Sequence, residues 1–175
     1  MHASSPTPSE YAPHFSRYIS LIGESDFAAV LGRQPAEFRA LLGKLSSEQA
    51  GFRYAPEKWS IRQVVGHVID AERVFAYRAL AIARGEAASL PSFDENSYAN
   101  QAGHDRYPLG ELLDEFAQVR QSNLCLFQHM SQEDWERVGT VNQNRVSTRG
   151  LAYILVGHVQ HHAGILKERY GVVVR

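Results

Sequence analysis

Three histidines lie close together near the end of the chain, in the stretch VGHVQHH at residues 156–162. His158 and His162 are four residues apart, which places two side chains on the same face of an α-helix, with about 5–6 Å between their Cβ atoms. Two imidazole nitrogens at that spacing can reach one divalent metal ion at ~2.0–2.1 Å each. His161 is rotated by about 100° from His162 on a helix, so we expect it outside the pair.

Two ligands rarely complete a metal site, and His67 is the candidate third ligand. Its setting, VVGHVID, parallels LVGHVQH around His158, because a glycine precedes each histidine on an apolar face. We expect these glycines, Gly66 and Gly157, to let two helices approach until their imidazoles meet. Three histidines with open coordination positions are typical of a catalytic metal site. The alternative for each histidine alone is a core residue hydrogen-bonded to a carbonyl group.

Charged residues follow His67 on the same predicted helix. Asp70 shares its face and is a candidate to orient a ligand imidazole or to act as a general base. An ion pair between Asp70 and Arg73 is the alternative. Arg73 and Arg78 are candidate substrate-binding residues, and ion pairs on the helix surface explain them equally well.

Four amphipathic patterns must position these side chains, and they predict an all-α helical bundle, in which sites are built from facing helices. Ser60 with Gln63 forms a capping-box signature, and Ser147 is the expected N-cap of the last helix. Ser25 or Asp26 is the expected N-cap of the first. The four patterns cover residues 25–45, 59–85, 109–130 and 147–171.

The segments between the patterns carry further expectations. Residues 1–13 are rich in Ser, Pro and Thr and predict a flexible leader, which leaves 14–175 as a single domain. Pro35 predicts a kink or a restart in the first helix. Residues 86–108 lack periodicity and predict a long loop that covers the site. Only the terminal VVVR at 172–175 looks strand-like, so we expect negligible strand content.

Composition excludes several classes of function. The chain has 175 residues and a net charge of −1, with scattered basic residues, which argues against nucleic-acid binding. The single cysteine, Cys125, excludes an internal disulfide and multi-cysteine zinc sites; it lies between leucines and is expected to be a buried apolar residue. The N-terminus has no signal-peptide pattern and no apolar run is long enough for a membrane span, so we predict a cytoplasmic protein without a membrane partner.

Together these motifs resemble the DinB superfamily, in its DinB-like or YfiT-like metal-binding branch. The resemblance rests on YAPEKWSIRQVVGHVIDAERVFAYRAL, on LPSFDENSYA and on the terminal GHVQHHAGIL, and it extends from about residue 25 to 170. It implies a four-helix bundle with up-down-down-up connectivity, which often forms a homodimer. It also implies one divalent metal ion, typically zinc or nickel, held by His67, His158 and His162.

The resemblance leaves the reaction open. Relatives include thiol-dependent S-transferases and a mycothiol-dependent maleylpyruvate isomerase, and others are described as metal-dependent hydrolases without a demonstrated substrate. A metal-dependent enzyme acting on a small molecule is therefore the first hypothesis, either a hydrolase or a transferase with a low-molecular-weight thiol cosubstrate. The alternative is a non-catalytic, stress-related bundle protein whose metal site is structural or vestigial.

Overall fold

The computed structural model describes residues 4–23 and 27–173, and most of these residues are helical. Four long helices form a bundle: α2 (Phe27–Leu42), α4 (Ile61–Ala83), α6 (Leu109–Gln128) and α8 (Thr148–Glu168). Four short helices lie between or before them: α1 (Ser16–Ile19), α3 (Ser47–Ala50), α5 (Glu95–Ala102) and α7 (Gln132–Glu136). None of the described helices is both long enough and apolar enough to cross a membrane.

The predicted helix starts follow from local capping. The Ser60 hydroxyl accepts a hydrogen bond from the Gln63 amide at 3.0 Å, and the Gln63 side chain accepts one from the Ser60 amide at 3.1 Å. This capping box satisfies two of the free N–H groups at the start of α4. Ser147 accepts a bond from the Gly150 amide at 2.8 Å at the start of α8. The cap predicted at Ser25 or Asp26 lies outside the described residues.

Helix α2 continues through Pro35 rather than restarting there. A proline has no N–H group, so the carbonyl of Leu31, four residues earlier, lacks its usual helical partner. The Arg120 guanidinium on α6 donates to that carbonyl through Nη1 at 3.0 Å. A tertiary contact thus replaces the missing helical bond, which the local sequence could not reveal.

Two connecting segments contain regular structure that the sequence patterns did not predict. Strands β1 (Val138–Val141) and β2 (Asn144–Ser147) form an antiparallel hairpin, whose turn residues Asn142 and Gln143 have positive φ angles. This hairpin of eight strand residues leaves the fold all-α, but its position was not predicted, because neither four-residue strand alternates clearly between apolar and polar residues. The terminal residues 172–173 form no strand.

The 86–108 segment is not a plain loop. It contains α5, whose N-cap Asp94 accepts bonds from the amides of Asn96 and Ser97, and Gly103 ends that helix in the left-handed conformation. Leu90 also adds main-chain bonds to the hairpin, through Thr140 and Asn142 at 2.9 and 2.8 Å. The segment is therefore attached to the rest of the fold along its length.

Part of the predicted leader is also bound to the bundle. The Glu10 carboxylate accepts bonds from Arg149 on α8 and from the Ser147 hydroxyl. Ala12 is buried, and Tyr11 packs against the apolar core. Composition predicted flexibility here, but an ion pair and apolar contacts hold the segment from Thr7 onward. The domain boundaries at 1–13 and 14–175 stay a prediction.

Helices α4 and α8 make the most extensive contact in the bundle, and α6 packs against both α4 and α2. The buried apolar residues form two clusters. One surrounds Phe27, Phe127 and Trp135. The other surrounds Phe38 and Phe116. The long α4–α8 interface runs along both clusters, and the buried histidines of the two helices lie in it.

Candidate metal centre

The structure brings three histidines together between α4 and α8. The Nε2 atom of His158 lies 3.0 Å from Nε2 of His67 and 3.1 Å from Nε2 of His162. All three side chains are buried. Among the described residues they form the one group of at least three potential metal ligands with converging donor atoms.

These contacts cannot both be well-directed hydrogen bonds. A neutral imidazole nitrogen is either a donor or an acceptor, and the His158 Nε2 atom faces two other Nε2 atoms. Its one hydrogen or one lone pair can serve both neighbours only as a bent, shared contact. A cation between the three nitrogens would satisfy all three lone pairs at once.

The spacing fits a metal ion. With metal–nitrogen distances of ~2.0–2.1 Å and angles between about 90° and 110°, ligand nitrogens lie about 2.9–3.4 Å apart. The two measured Nε2–Nε2 distances, 3.0 and 3.1 Å, fall in this range. The donor set is three imidazoles, which suits zinc and nickel.

Burial keeps these imidazoles neutral. It lowers the pKa of His67 to about 4, with a smaller contribution from the nearby charge of His104. Burial, followed by repulsion from neighbouring histidines, lowers the pKa of His158 and His162 well below the usual range. Neutral imidazoles keep the lone pair that metal binding requires.

Aromatic side chains hold the rings in place. The Trp59 ring, just before α4, lies 4.7 Å from the His67 ring. The rings of Tyr18 on α1 and Phe75 on α4 each meet the His158 ring edge-on at 5.5 Å. These aromatic neighbours restrict the His67 and His158 imidazoles to few orientations, which favours a fixed position of their nitrogens.

The glycines beside the histidines do not act as predicted. A Cβ atom at Gly66 would come within 2.2 Å of the His104 ring, and one at Gly157 would come within 2.1 Å of the Tyr18 carbonyl oxygen. The two glycines thus make room for the turn after α5 and for α1, rather than for the approach of α4 to α8. The parallel in sequence was real, but its interpretation was wrong.

Two cavities flank the histidines. One, of about 250 Å³, is lined by His67 and His158 together with residues of α1, of the β-hairpin and of the 86–108 segment. Another, of about 220 Å³, is lined by His162, Trp59 and Tyr170 among others. We call the first the histidine cavity. A larger cavity of about 390 Å³ lies against Tyr170 and Val172, and none of the three histidines is part of its lining.

Of the three charged candidate residues on α4, only Arg78 lines the histidine cavity, and Asp70 and Arg73 do not. The Asp70 carboxyl is half-buried, which raises its pKa, and the charges acting on it are those of His104, Arg73 and Glu115. Among the described residues it forms no hydrogen bond with the three imidazoles, so its role as orienter or base stays a prediction. Arg73 is half-exposed and pairs with Glu115 at 2.7 Å, and it is not part of the lining of the histidine cavity.

Arg78 is buried and lines the histidine cavity. The structure also adds residues to the site that sequence reasoning missed, namely Tyr18 and Arg17 on α1 and Phe93 in the 86–108 segment. Helix α1 has four residues, too few for a periodic signal to mark it. His161 lies outside the group of converging donor atoms, and its ring contacts that of Tyr18 at 5.2 Å.

Comparisons with known proteins agree with this fold. The family model of the DinB superfamily matches residues 31–166. The fold is similar to that of a protein described as "YfiT from Bacillus subtilis is a probable metal-dependent hydrolase with an unusual four-helix bundle topology". That match has a TM-score of 0.74 at 17% identity and covers 98% of this chain and 95% of the other. The predicted four-helix bundle of the YfiT-like type is thereby confirmed.

A second solved structure is similar over most of the chain. It is that of a mycothiol-dependent maleylpyruvate isomerase, with a TM-score of 0.62 at 14% identity, covering 91% of this chain and 62% of that one. No curated protein matches the sequence significantly. At these identities the likeness shows a shared fold, and the chemistry has to be argued from the site.

Proposed function

Because the chain belongs to the DinB superfamily, we propose that it is a metal-dependent enzyme acting on a small molecule. His67, His158 and His162 hold one divalent ion, zinc or nickel, beside the histidine cavity. The observation that carries the proposal is the convergence of three buried Nε2 atoms at metal-ligand spacing. Such a cluster would be unfavourable in a core with nothing to bind, since its polar atoms cannot all be satisfied.

The number of ligands favours catalysis over a structural role. Structural zinc sites are closed by four protein ligands, whereas catalytic sites have three and leave positions open for water or substrate. The described residues supply three converging donors, and the histidine cavity adjoins two of them. The alternative, a non-catalytic stress-related protein with a structural or vestigial metal site, would be favoured by a fourth ligand that closes the group.

An ion at this position would supply Lewis acidity, which lowers the pKa of a water or a thiol and so provides a nucleophile at neutral pH. The first case gives hydrolysis, and the second gives transfer of a low-molecular-weight thiol. Of the two similar solved structures, one is described as a probable metal-dependent hydrolase and the other as a mycothiol-dependent isomerase, so they support hydrolysis and the use of a thiol respectively. We propose both reaction classes for screening.

The protein's own side chains orient and enclose the reacting groups. Trp59 orients the His67 imidazole, Phe75 and Tyr18 orient that of His158, and the 86–108 segment covers the cavity through Ser92, Phe93 and Glu95. Arg78 in the cavity wall is the proposed substrate-binding residue. Asp70 is retained as a prediction for orienting a ligand or accepting a proton.

Metal analysis of the purified protein tests the site directly. We expect about one divalent ion per chain, and loss of that ion in His158→Ala and in His162→Ala, because two imidazoles bind the ion poorly. His161→Ala is the matched control and should keep the ion. Full metal content in the first two variants would refute the site. Screening with ester, amide and thiol-plus-electrophile substrates then separates hydrolase from transferase and both from the non-catalytic alternative.

We also propose that the protein forms a homodimer, as the family resemblance implies, and that it acts in the cytoplasm. Light scattering of the purified protein measures the oligomeric state. A monomer at micromolar concentration would contradict that part of the proposal and would leave the metal site unaffected.

A further inference from the structure

Arg78 is a buried cation without an acidic partner among the described residues. Its side chain is 6% exposed, and its only hydrogen bond there runs from Nη2 to the Pro91 carbonyl oxygen at 2.7 Å. A guanidinium carries five N–H donors, so most of them are unused by the protein. The residue lines the histidine cavity, where a ligand could reach the remaining donors.

A buried charge of this kind is costly unless something compensates it. Of the other two buried arginines among the described residues, Arg120 has a carboxylate partner in Glu72, and Arg62 donates to the carbonyl and hydroxyl oxygens of Ser47. Arg78 instead lies over two aromatic rings, with Cζ 5.5 Å from the Phe93 ring centre and 6.0 Å from that of Phe75. Burial lowers the pKa of Arg78, in agreement with the lack of a nearby carboxylate.

The rest of the cavity wall strengthens the positive potential. Arg17 and Arg145 also line the cavity, against a single glutamate, Glu95. Arg17 donates a hydrogen bond to the Tyr18 hydroxyl and forms no ion pair with a described acidic residue. Because a concave site with low-dielectric walls concentrates the field of its charges, this cavity should attract an anion.

The position of Phe75 relates the cation to the histidines. Its ring centre lies 6.0 Å from the Arg78 Cζ atom and 5.5 Å from the centre of the His158 ring. A ligand in this cavity that contacts Phe75 is therefore within reach of Arg78 and of the two imidazoles that line the wall, those of His67 and His158. Leu151 and Val146 add apolar surface to the same wall.

We propose that the histidine cavity binds a small carboxylic acid, with the carboxylate on Arg78, an apolar or planar body against Phe75 and Phe93, and the opposite end at the imidazoles. This proposal rests on the proposed function in one respect: the end of the ligand near the imidazoles has a chemical role only if they hold a metal ion. A planar guanidinium fork matches a carboxylate with two parallel bonds. The volume of about 250 Å³ lies below the ~300–1,000 Å³ typical of drug-sized ligands, so the acid is small.

Calorimetric titration of the metal-free full-length protein with phenylacetate tests this site without any metal chemistry. Phenylacetamide, which has nearly the same shape and no charge, is the ligand control. We expect phenylacetate to bind at least ten-fold more tightly, because bonds to a charged acceptor are the stronger kind. Equal binding of the two compounds, or no binding of phenylacetate at millimolar concentration, would overturn the proposal.

Variants then locate the site on the protein. Arg78→Met should weaken phenylacetate binding by about ten- to hundred-fold, whereas Arg33→Met, which removes an exposed arginine paired with Glu37, should leave it unchanged. Arg78→Lys keeps the charge without the planar fork and should bind phenylacetate with intermediate affinity. This variant tests the same site if Arg78→Met does not fold. Unchanged binding in a folded Arg78 variant would overturn the assignment.

The metal-dependent enzyme and the carboxylate site can each be refuted without refuting the other. His162→Ala should lose the metal and keep phenylacetate binding to the metal-free protein within a few-fold, since His162 does not line the histidine cavity and Arg78 is untouched. Loss of metal from wild-type preparations with retained carboxylate binding would refute the metal-dependent enzyme alone. Retained metal with equal binding of the acid and the amide would refute the carboxylate site alone.

Discussion

Two buried polar clusters lie in the same bundle, and their bonding differs completely. In the first, which we call the arginine cluster, the Arg120 guanidinium donates to both oxygens of Glu72, at 2.6 and 2.9 Å, and to Gln34 at 2.7 Å. Asn123 donates to Glu72 at 3.1 Å, and Gln34 donates to the Val156 carbonyl at 2.9 Å. Every charge here has a partner, and the bonds connect all four long helices.

The histidine cluster, formed by His67, His158 and His162, does not satisfy its polar atoms within the protein in this way. Its three Nε2 atoms face one another, and the buried Nδ1 atom of His162 has no hydrogen-bond partner among the described residues. The arginine cluster is satisfied by bonds within the protein, whereas the histidine cluster leaves nitrogen lone pairs that a cation could bind. The difference separates a cluster that stabilises the bundle by itself from one that we propose to bind a ligand.

The largest effect is expected from breaking the arginine cluster. Glu72→Ala leaves the Arg120 charge buried without compensation, and we expect the free energy of unfolding to fall by about 3–5 kcal/mol. Chemical denaturation followed by circular dichroism measures this. Glu115→Ala removes the exposed partner of Arg73 and should cost at most about 1 kcal/mol. Similar losses in both variants would show that the buried pair is not stabilising the bundle in this way.

The next effect is that of metal on the histidine cluster. An ion present at a hundred times its dissociation constant should add about 2.7 kcal/mol to the free energy of unfolding. Chelation should therefore lower the melting temperature by about 5–10 °C, with the helical signal intact at room temperature. His158→Ala serves as the control, because its melting temperature should not respond to metal. Unfolding on chelation would instead identify a structural metal site.

Removing one histidine should cost less than removing a member of the arginine cluster. His67→Ala in metal-free protein should lower the free energy of unfolding by less than about 2 kcal/mol. The imidazole borders an existing cavity, and its loss leaves no uncompensated charge. The variant should be folded, metal-poor and inactive. A loss as large as that of Glu72→Ala would mean that the histidines contribute to the scaffold.

The smallest effect is expected at Pro35, where the arginine cluster replaces a helical bond. A proline in a helix interior is ordinarily about 3 kcal/mol less favourable than alanine. Because Arg120 already bonds the Leu31 carbonyl, Pro35→Ala should change the free energy of unfolding by less than about 1 kcal/mol. Denaturation of the single variant measures this change. A gain near 3 kcal/mol would show that the bond from Arg120 does not compensate the proline.

Much of the scaffold could be predicted because its signals are local. The capping box at Ser60, the cap at Ser147 and the apolar periodicity of α4, α6 and α8 depend on residues within one turn of each other. The hairpin, α5 and the docking of Glu10 on Arg149 were missed. Their elements are short, and they are held by contacts with distant parts of the chain rather than by their own pattern.

The sequence by itself determined the pairing of His158 with His162, because the pitch of one helix sets the distance between residues four apart. It also supplied the argument for His67, as a histidine in an apolar stretch. The meeting of His67 with that pair, the cavity beside them and the isolation of Arg78 from any described carboxylate were decided by tertiary structure. These features depend on how α1, the hairpin and the 86–108 segment pack around α4 and α8, and no local pattern encodes that packing.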